Sequence, residues 1–228
     1  MPEYPQSWPM PKSPIPIVIF GAGSIVSDAH LPAYKFSNLP VKGIYDPDYD
    51  KAKKLGQIYN IKVFKEAADA AAEKDVVFDL AIPPSAHCEV IETLPKNSPV
   101  ILQKPMGSDL NEASKILSLC HQKSLKACVN FQLRFAPLMI ALKDIIDQGL
   151  IGQVVDVDMW AALDTPWGLW KFLEGLPRVE ILLHSIHYLD AIRYLIGNPI
   201  GVHAKTMSHP ASKISNTRTA AILDYGNE

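Results

Sequence analysis

The stretch Ile15-Pro16-Ile17-Val18-Ile19-Phe20-Gly21-Ala22-Gly23 decides the fold. Its apolar residues run without alternation, are few, and stop on glycine, as expected of a central parallel strand buried on both faces. A glycine pair at a strand end is the start of a dinucleotide fingerprint when a helix follows, because it permits a tight turn and close approach of a pyrophosphate to helix N–H groups. Ser24 to Phe36 has helical spacing, with Ile25, Ala29, Ala33 and Phe36 apolar, and Pro32 should kink or shorten it. The third fingerprint position is Val26 rather than glycine. The pyrophosphate is therefore expected against the backbone of Gly21, Ala22, Gly23, Ser24 and Ile25, with a plain glycine turn as the competing reading.

Outward from there the pattern repeats. A second strand, Val41 to Tyr45, ends at Asp46-Pro47-Asp48 and leads into a polar helix from Asp50 to Tyr59. Strands are predicted over 61–64, 76–82, 100–103 and 126–131, and helices over 65–73, 85–94 and 110–123. Strict alternation of strand and helix makes a doubly wound parallel sheet. Asp46, at the tip of the second strand, can accept from both adenine-ribose hydroxyls and repels a 2'-phosphate, which favours NAD over NADP. The alternative is a turn with a helix cap. Lys51, Lys53 and Lys54 nearby keep NADP in play.

After Arg134 the pattern changes. Residues 136–148 form an amphipathic helix, and Val154-Val155-Asp156-Val157-Asp158-Met159-Trp160 alternates with the period of a half-buried strand. A long helix over 180–196 precedes strands near 201–207 and 217–225. The expected fold class is α/β: an N-terminal Rossmann doubly wound parallel sheet followed by a partial α+β domain with an open, mainly antiparallel sheet. Its divisions are a proline-rich arm at 1–14, a dinucleotide-binding domain at 15–133, and a substrate and oligomerisation domain at 134–228 that is incomplete at its C-terminus.

The 228 residues are 48% hydrophobic and 20% charged, enough to bury a sizeable core. A net charge of -2 leaves no polycationic face for nucleic acid or anionic lipid. Cys88, Cys120 and Cys128 are odd in number and fit neither a disulfide framework nor zinc spacing; they read as reduced, mostly buried thiols. Prolines at 2, 5, 9, 11, 14 and 16 interrupt any secretory leader, and no apolar stretch reaches the roughly 18 residues that span a bilayer. The expectation is a cytoplasmic protein with no membrane or nucleic-acid partner.

Four blocks in order carry a resemblance to a known family. They are Gly21-Ala22-Gly23 with His30-Leu31-Pro32-Ala33-Tyr34; Ala81-Ile82-Pro83-Pro84-Ser85-Ala86-His87; Gln103-Lys104-Pro105; and Ser185-Ile186-His187-Tyr188-Leu189-Asp190 with Arg193. The chain resembles the family of glucose-fructose oxidoreductase and inositol dehydrogenase, Gfo/Idh/MocA. The resemblance implies NAD(P)-dependent hydride transfer to or from a secondary alcohol of a sugar, polyol or similar small molecule. It implies that Lys104 stands by the nicotinamide and the reacting oxygen, that His187 is the general base, and that the loop of Ile82, Pro83 and His87, together with Gln103, lies against the cofactor. His87 can equally be a solvated helix-start residue. Gln132 is a further cofactor candidate from its place at a strand end.

His184, His187 and Asp190 recur every three residues, so a regular helix would put them on one face with Arg193 as catalytic or orienting groups. A metal site there is the weaker alternative, since ligands at that spacing rotate away from a common point, and no metal is expected. Trp160, Trp167 and Trp170 are candidate walls of a substrate pocket, or simply core. Two departures from the family pattern stand out. The usual triplet is Glu-Lys-Pro, and here Gln103 loses the charge; the aspartate usual four residues before the histidine is Leu183. Family members also generally continue well past this point, so the expectation includes a missing C-terminal part. These features keep a rival open, a non-catalytic dinucleotide-binding regulator or degenerate homologue, alongside a truncated product that self-associates. Pairing of second-domain sheets into a homo-oligomer is expected.

Overall fold

The computed structural model describes residues 4–167, 173, 178–208, 210 and 216–226. Packing divides the chain into two units, Pro11–Asn130 and Phe131–Glu228, the latter joined by Met1–Met10. In the second unit Trp8 meets the Phe135 ring edge-on at 5.5 Å, so the proline-rich arm is tied down by an aromatic pair.

In the first unit the elements alternate as β1 Ile17–Phe20, α1 Leu31–Phe36, β2 Val41–Tyr45, α2 Tyr49–Tyr59, β3 Lys62–Val63, α3 Ala67–Ala71, β4 Val77–Leu80, α4 His87–Thr93, β5 Pro99–Leu102, α5 Leu110–Gln122 and β6 Lys126–Val129. The six strands form one parallel sheet in the order β3-β2-β1-β4-β5-β6. Every residue of β1 is buried, which is why its sequence does not alternate. Val18 and Phe20 face one core with Phe78, Leu80, Val100, Leu102, Ile91 and Ile116. Ile17 and Ile19 face the other with Ile44, Val26, Leu31, Ala52 and Leu55. Each fully buried side chain of this size contributes about 1.5–3 kcal/mol. The strand order reverses direction between β1 and β4, and a crevice at such a switch point is where open α/β sheets take ligands.

The helix after β1 opens at Ser24, widens into an i→i+5 turn over Val26–His30, and continues as α1. Pro32 has no N–H to return to the preceding turn and its ring crowds that turn's carbonyl, so the wide turn is the form the expected kink takes. α2 is capped by Asp48, whose side chain accepts from the Lys51 N–H, and ends on Asn60 in the left-handed region. At the start of α5, Asp109 accepts from the Glu112 N–H while Glu112 accepts from the Ser108 N–H.

The second unit carries α6 Pro137–Asp147, α7 Ile186–Ile196, and β7 Gly201–Met207 paired antiparallel with β8 Arg218–Asp224. A wide i→i+5 turn over Ile181–Ser185 leads into α7. The period-two stretch 154–160 is not a strand: it has no ladder partner among the described residues, and Val155 and Trp160 are 81% and 90% exposed. Alternation shows only that a segment could be pleated; a strand also needs a neighbour with which to exchange hydrogen bonds. This stretch, β8 and one face of α7 line a groove of about 1460 Å³. No described helix is long and apolar enough to cross a membrane.

Of the cysteines, Cys120 is buried, Cys88 half-buried and Cys128 exposed, which corrects the expectation of mostly buried thiols.

Candidate functional site

In the first unit the chain leaves β1 at Gly21, whose N–H donates to the Tyr45 carbonyl at 2.7 Å. Gly21 has φ +106°, and a Cβ on it would stand 2.2 Å from the Ala81 carbonyl oxygen and 3.4 Å from Ile82, so the turn closes on the end of β4. Gly23 differs: it is exposed, and a Cβ there would meet nothing within 4 Å. No protein neighbour demands glycine at 23, whereas a ligand pressed against the loop would. Ser24 and Ile25 are exposed in the first helical turn, where N–H groups have no partner within the helix.

Asp46 turns into this loop. Its Oδ2 accepts from the Ala22 N–H at 2.7 Å, and its Oδ1 accepts from the Asp48 N–H at 2.8 Å. Each carboxylate oxygen has capacity for a further donor, so the side chain can brace the glycine turn and still receive ribose hydroxyls. Asp48, not Asp46, caps α2. An NAD(P) pyrophosphate and ribose fit this loop on three counts: open space at Gly23, exposed first-turn amides, and a carboxylate aimed at the turn.

Around the crevice, Ile82 is half-buried and Pro83 exposed after β4. His87 is fully buried, with the Leu80 backbone beside its ring. Burial pushes its pKa below the ordinary histidine value, so the ring is neutral. As the first residue of α4 it is buried, which corrects the reading of it as a solvated helix-start residue. Gln103 and Lys104 are half-buried at the end of β5, and burial pushes the Lys104 ammonium below the ordinary lysine range.

In the second unit the repeated histidine pattern splits. His187 and Asp190 are buried and turn toward the segment at its start: the Phe131 ring meets His187 edge-on at 6.1 Å, and Arg134 reaches Asp190. His184 instead stacks on Trp167, ring centroids 4.8 Å apart, and lines the groove with Trp160, Ser185 and Tyr188. His184 thus stands on the groove side with Ser185 and Tyr188, away from the buried His187 and Asp190, which corrects the expectation of one shared face. Trp170 lies outside the described residues, and Gln132 is exposed at the head of a short turn. Among the described residues no three His, Cys, Asp or Glu side chains could hold a metal ion.

Asp190 is engaged by Arg134. Arg134 Nε donates to its Oδ2 at 2.6 Å and Nη2 to its Oδ1 at 2.5 Å, a bidentate pair on a buried carboxylate. Arg134→Met keeps the stem and strands the Asp190 charge; the expected loss in urea unfolding is about 3 kcal/mol. A double change of Arg134 to Met and Asp190 to Leu removes both charges and should recover most of it. A single variant as stable as the parent would show that the pair contributes nothing.

Comparison with known proteins follows the same lines. The family model described as an oxidoreductase family with an NAD-binding Rossmann fold, GFO_IDH_MocA, matches residues 15–131. YceM of Salmonella typhimurium, named as an oxidoreductase, is 32% identical over 128 residues, 56% of this chain and 42% of YceM. The D-glucoside 3-dehydrogenase of Escherichia coli is 26% identical over 200 residues, 83% of this chain and 56% of that protein. A solved oxidoreductase from Agrobacterium radiobacter, in complex with NAD+, L-tartaric acid and magnesium, shares the fold at a TM-score of 0.74 and 20% identity, covering 95% of this chain and 68% of its own. The chain spans about half the length of the curated relatives it matches.

Proposed function

Since the chain belongs to the Gfo/Idh/MocA oxidoreductase family, with its NAD-binding Rossmann fold, we propose that it carries out hydride transfer between a nicotinamide cofactor and a secondary alcohol of a sugar, polyol or similar small molecule. The observation that carries the reading is the Asp46 carboxylate turned onto the glycine loop at the switch point, beside a Gly23 that no protein neighbour constrains. The likeness to a glucoside 3-dehydrogenase supports a sugar-like substrate. The nicotinamide, when bound, supplies the hydride acceptor. Lys104, as ammonium, hydrogen-bonds the substrate oxygen and stabilises negative charge on it. His187 takes the hydroxyl proton, and Phe131 and the turn bearing Arg134 hold its ring in place. The groove beside Trp160 and Trp167 offers aromatic faces for the substrate's C–H surface. The exposed Val202 of β7, on the hairpin face opposite Ile222, supports pairing of second units into a homo-oligomer.

NAD is the cofactor on this reading, because the Asp46 charge repels a 2'-phosphate. Hydrogen bonds to a charged group are worth about 1.5–3 kcal/mol, so Asp46→Ala should weaken NADH binding about 10- to 100-fold and leave NADPH far less affected. Fluorescence titration of both nucleotides checks this, and an unchanged NADH to NADPH ratio would remove Asp46 from the assignment. A panel of sugars and polyols assayed with NAD+ then tests catalysis: tight nucleotide binding without turnover would favour a dinucleotide-binding regulator instead.

A further inference from the structure

The first unit carries a run of polar side chains that starts from a buried carboxylate and a buried histidine. Asp79 stands in β4 with no exposed surface, between Ile19 of β1 and Ile101 of β5. Its Oδ2 receives His30 Nδ1 at 2.6 Å and the Tyr34 hydroxyl at 2.9 Å; its Oδ1 is buried and has no partner among the described residues. His30 Nε2 in turn lies 3.1 Å from the side-chain amide nitrogen of Gln103. Among the described residues the carboxylate is tied to the fold through His30 and Tyr34, and the far end of the chain is the residue preceding Lys104.

Every link has a direction. Asp79, as a carboxylate, can only accept, so the ring proton sits on Nδ1. Burial and the neighbouring Asp79 both raise the Tyr34 pKa, keeping the phenol a donor. The neutral ring then offers a lone pair at Nε2, to which the Gln103 amide donates. A ring protonated on both nitrogens would draw the amide oxygen instead of its nitrogen.

The geometry points to the Asp79–His30–Gln103 chain as a positioning device for the strand end that carries Lys104: the buried carboxylate fixes one histidine tautomer, and that tautomer fixes the rotation of the Gln103 side chain. The inference rests on the proposed function for its catalytic consequence, but the arrangement itself can be read without turnover. A carboxylate at 103 cannot donate to Nε2, so in Gln103→Glu the ring must gain a second proton to bridge two carboxylates. Adding Asp79→Asn moves the single negative charge to the other end of the chain. The ring should then be neutral again with its proton on Nε2.

Imidazole 15N spectra, with His30 assigned by loss of its signals in His30→Leu, read these states directly. The expected series is a neutral Nδ1–H ring in the wild type, a doubly protonated ring in Gln103→Glu, and a neutral Nε2–H ring in the double variant. An unchanged His30 state across the series would overturn the chain. Positioning is read at Lys104 by reductive 13C-methylation, its signal assigned with Lys104→Arg. In His30→Leu the Lys104 titration should move back toward the ordinary lysine value and kcat should fall on the order of 10²-fold, with NADH affinity retained. If His30→Leu does not fold, Gln103→Glu carries the same comparison, with kcat reduced in the single variant and recovered in the double. A Lys104 titration that ignores His30 and Gln103 would overturn the positioning role even in an active enzyme. A shifted titration in a protein that turns over no substrate would uphold positioning and count against the catalytic reading alone.

Discussion

Two neighbouring glycines should respond in opposite ways to one methyl group. Gly21→Ala places a Cβ 2.2 Å from the Ala81 carbonyl oxygen on a backbone at φ +106°. A non-glycine residue in such a conformation costs of order 1–3 kcal/mol, and forcing an atom into filled space costs a similar amount. The expected destabilisation is therefore about 3–5 kcal/mol, read as a large drop in the urea midpoint. Gly23→Ala meets no protein atom within 4 Å and has no positive φ, so stability should hold or rise by about 0.4–1 kcal/mol through the unfolded chain. NADH affinity should instead fall by roughly tenfold or more, about 1.4 kcal/mol, because the added methyl stands where the pyrophosphate approaches. NADH bound by Gly23→Ala as tightly as by the parent would remove the cofactor from this loop, whatever the fold.

What the sequence disclosed, and what it concealed, divides along physical lines. β1 and the glycine turn were legible because burial on both faces and positive φ each leave a local mark, apolar residues without alternation and then glycine. Asp46 was legible for the same reason: a strand tip followed by a capped helix fixes its place within a few residues. The stretch 154–160 misled because pattern reports which faces a segment could present, while a ladder partner lies elsewhere in the chain. His184 misled because residues three apart on a helix stand about 60° off one another, enough to send His184 to the groove with Tyr188 while His187 and Asp190 turn inward.

The polar pairings were hidden for a different reason. Arg134 and Asp190 are 56 residues apart, and His30 and Asp79 are 49 apart, so nothing in either local context names the partner. One signal was available. Asp79 is a lone acid inside the apolar run 76–82, and a buried carboxylate must find donors. The helix facing that sheet surface carries two residues that can donate, His30 and Tyr34, and a search for donors would have begun there.

Lys104 should show function and stability pulling against each other. Its ammonium is depressed by burial, so the folded protein binds that proton less readily than the unfolded chain does. For a lysine shifted in this direction the unfolded state holds the extra proton between the folded pKa and the ordinary lysine value. Stability therefore rises with pH across that window, and the cost of burying the cation is fully present below it. Lys104→Met removes that cost, so its stability relative to the parent should fall as the solution is made alkaline across that window. Activity should fall all the same, on the order of 10²–10³-fold in kcat, as when one donor to a developing oxyanion is deleted. Lys104→Arg separates the two effects. The guanidinium stays charged, so an alkaline fall in kcat seen in the parent below the ordinary lysine range should move out of reach in the arginine variant. If parent and Lys104→Arg lose activity at the same pH, the alkaline limb belongs to another group and Lys104 does not meet the reacting oxygen as a cation.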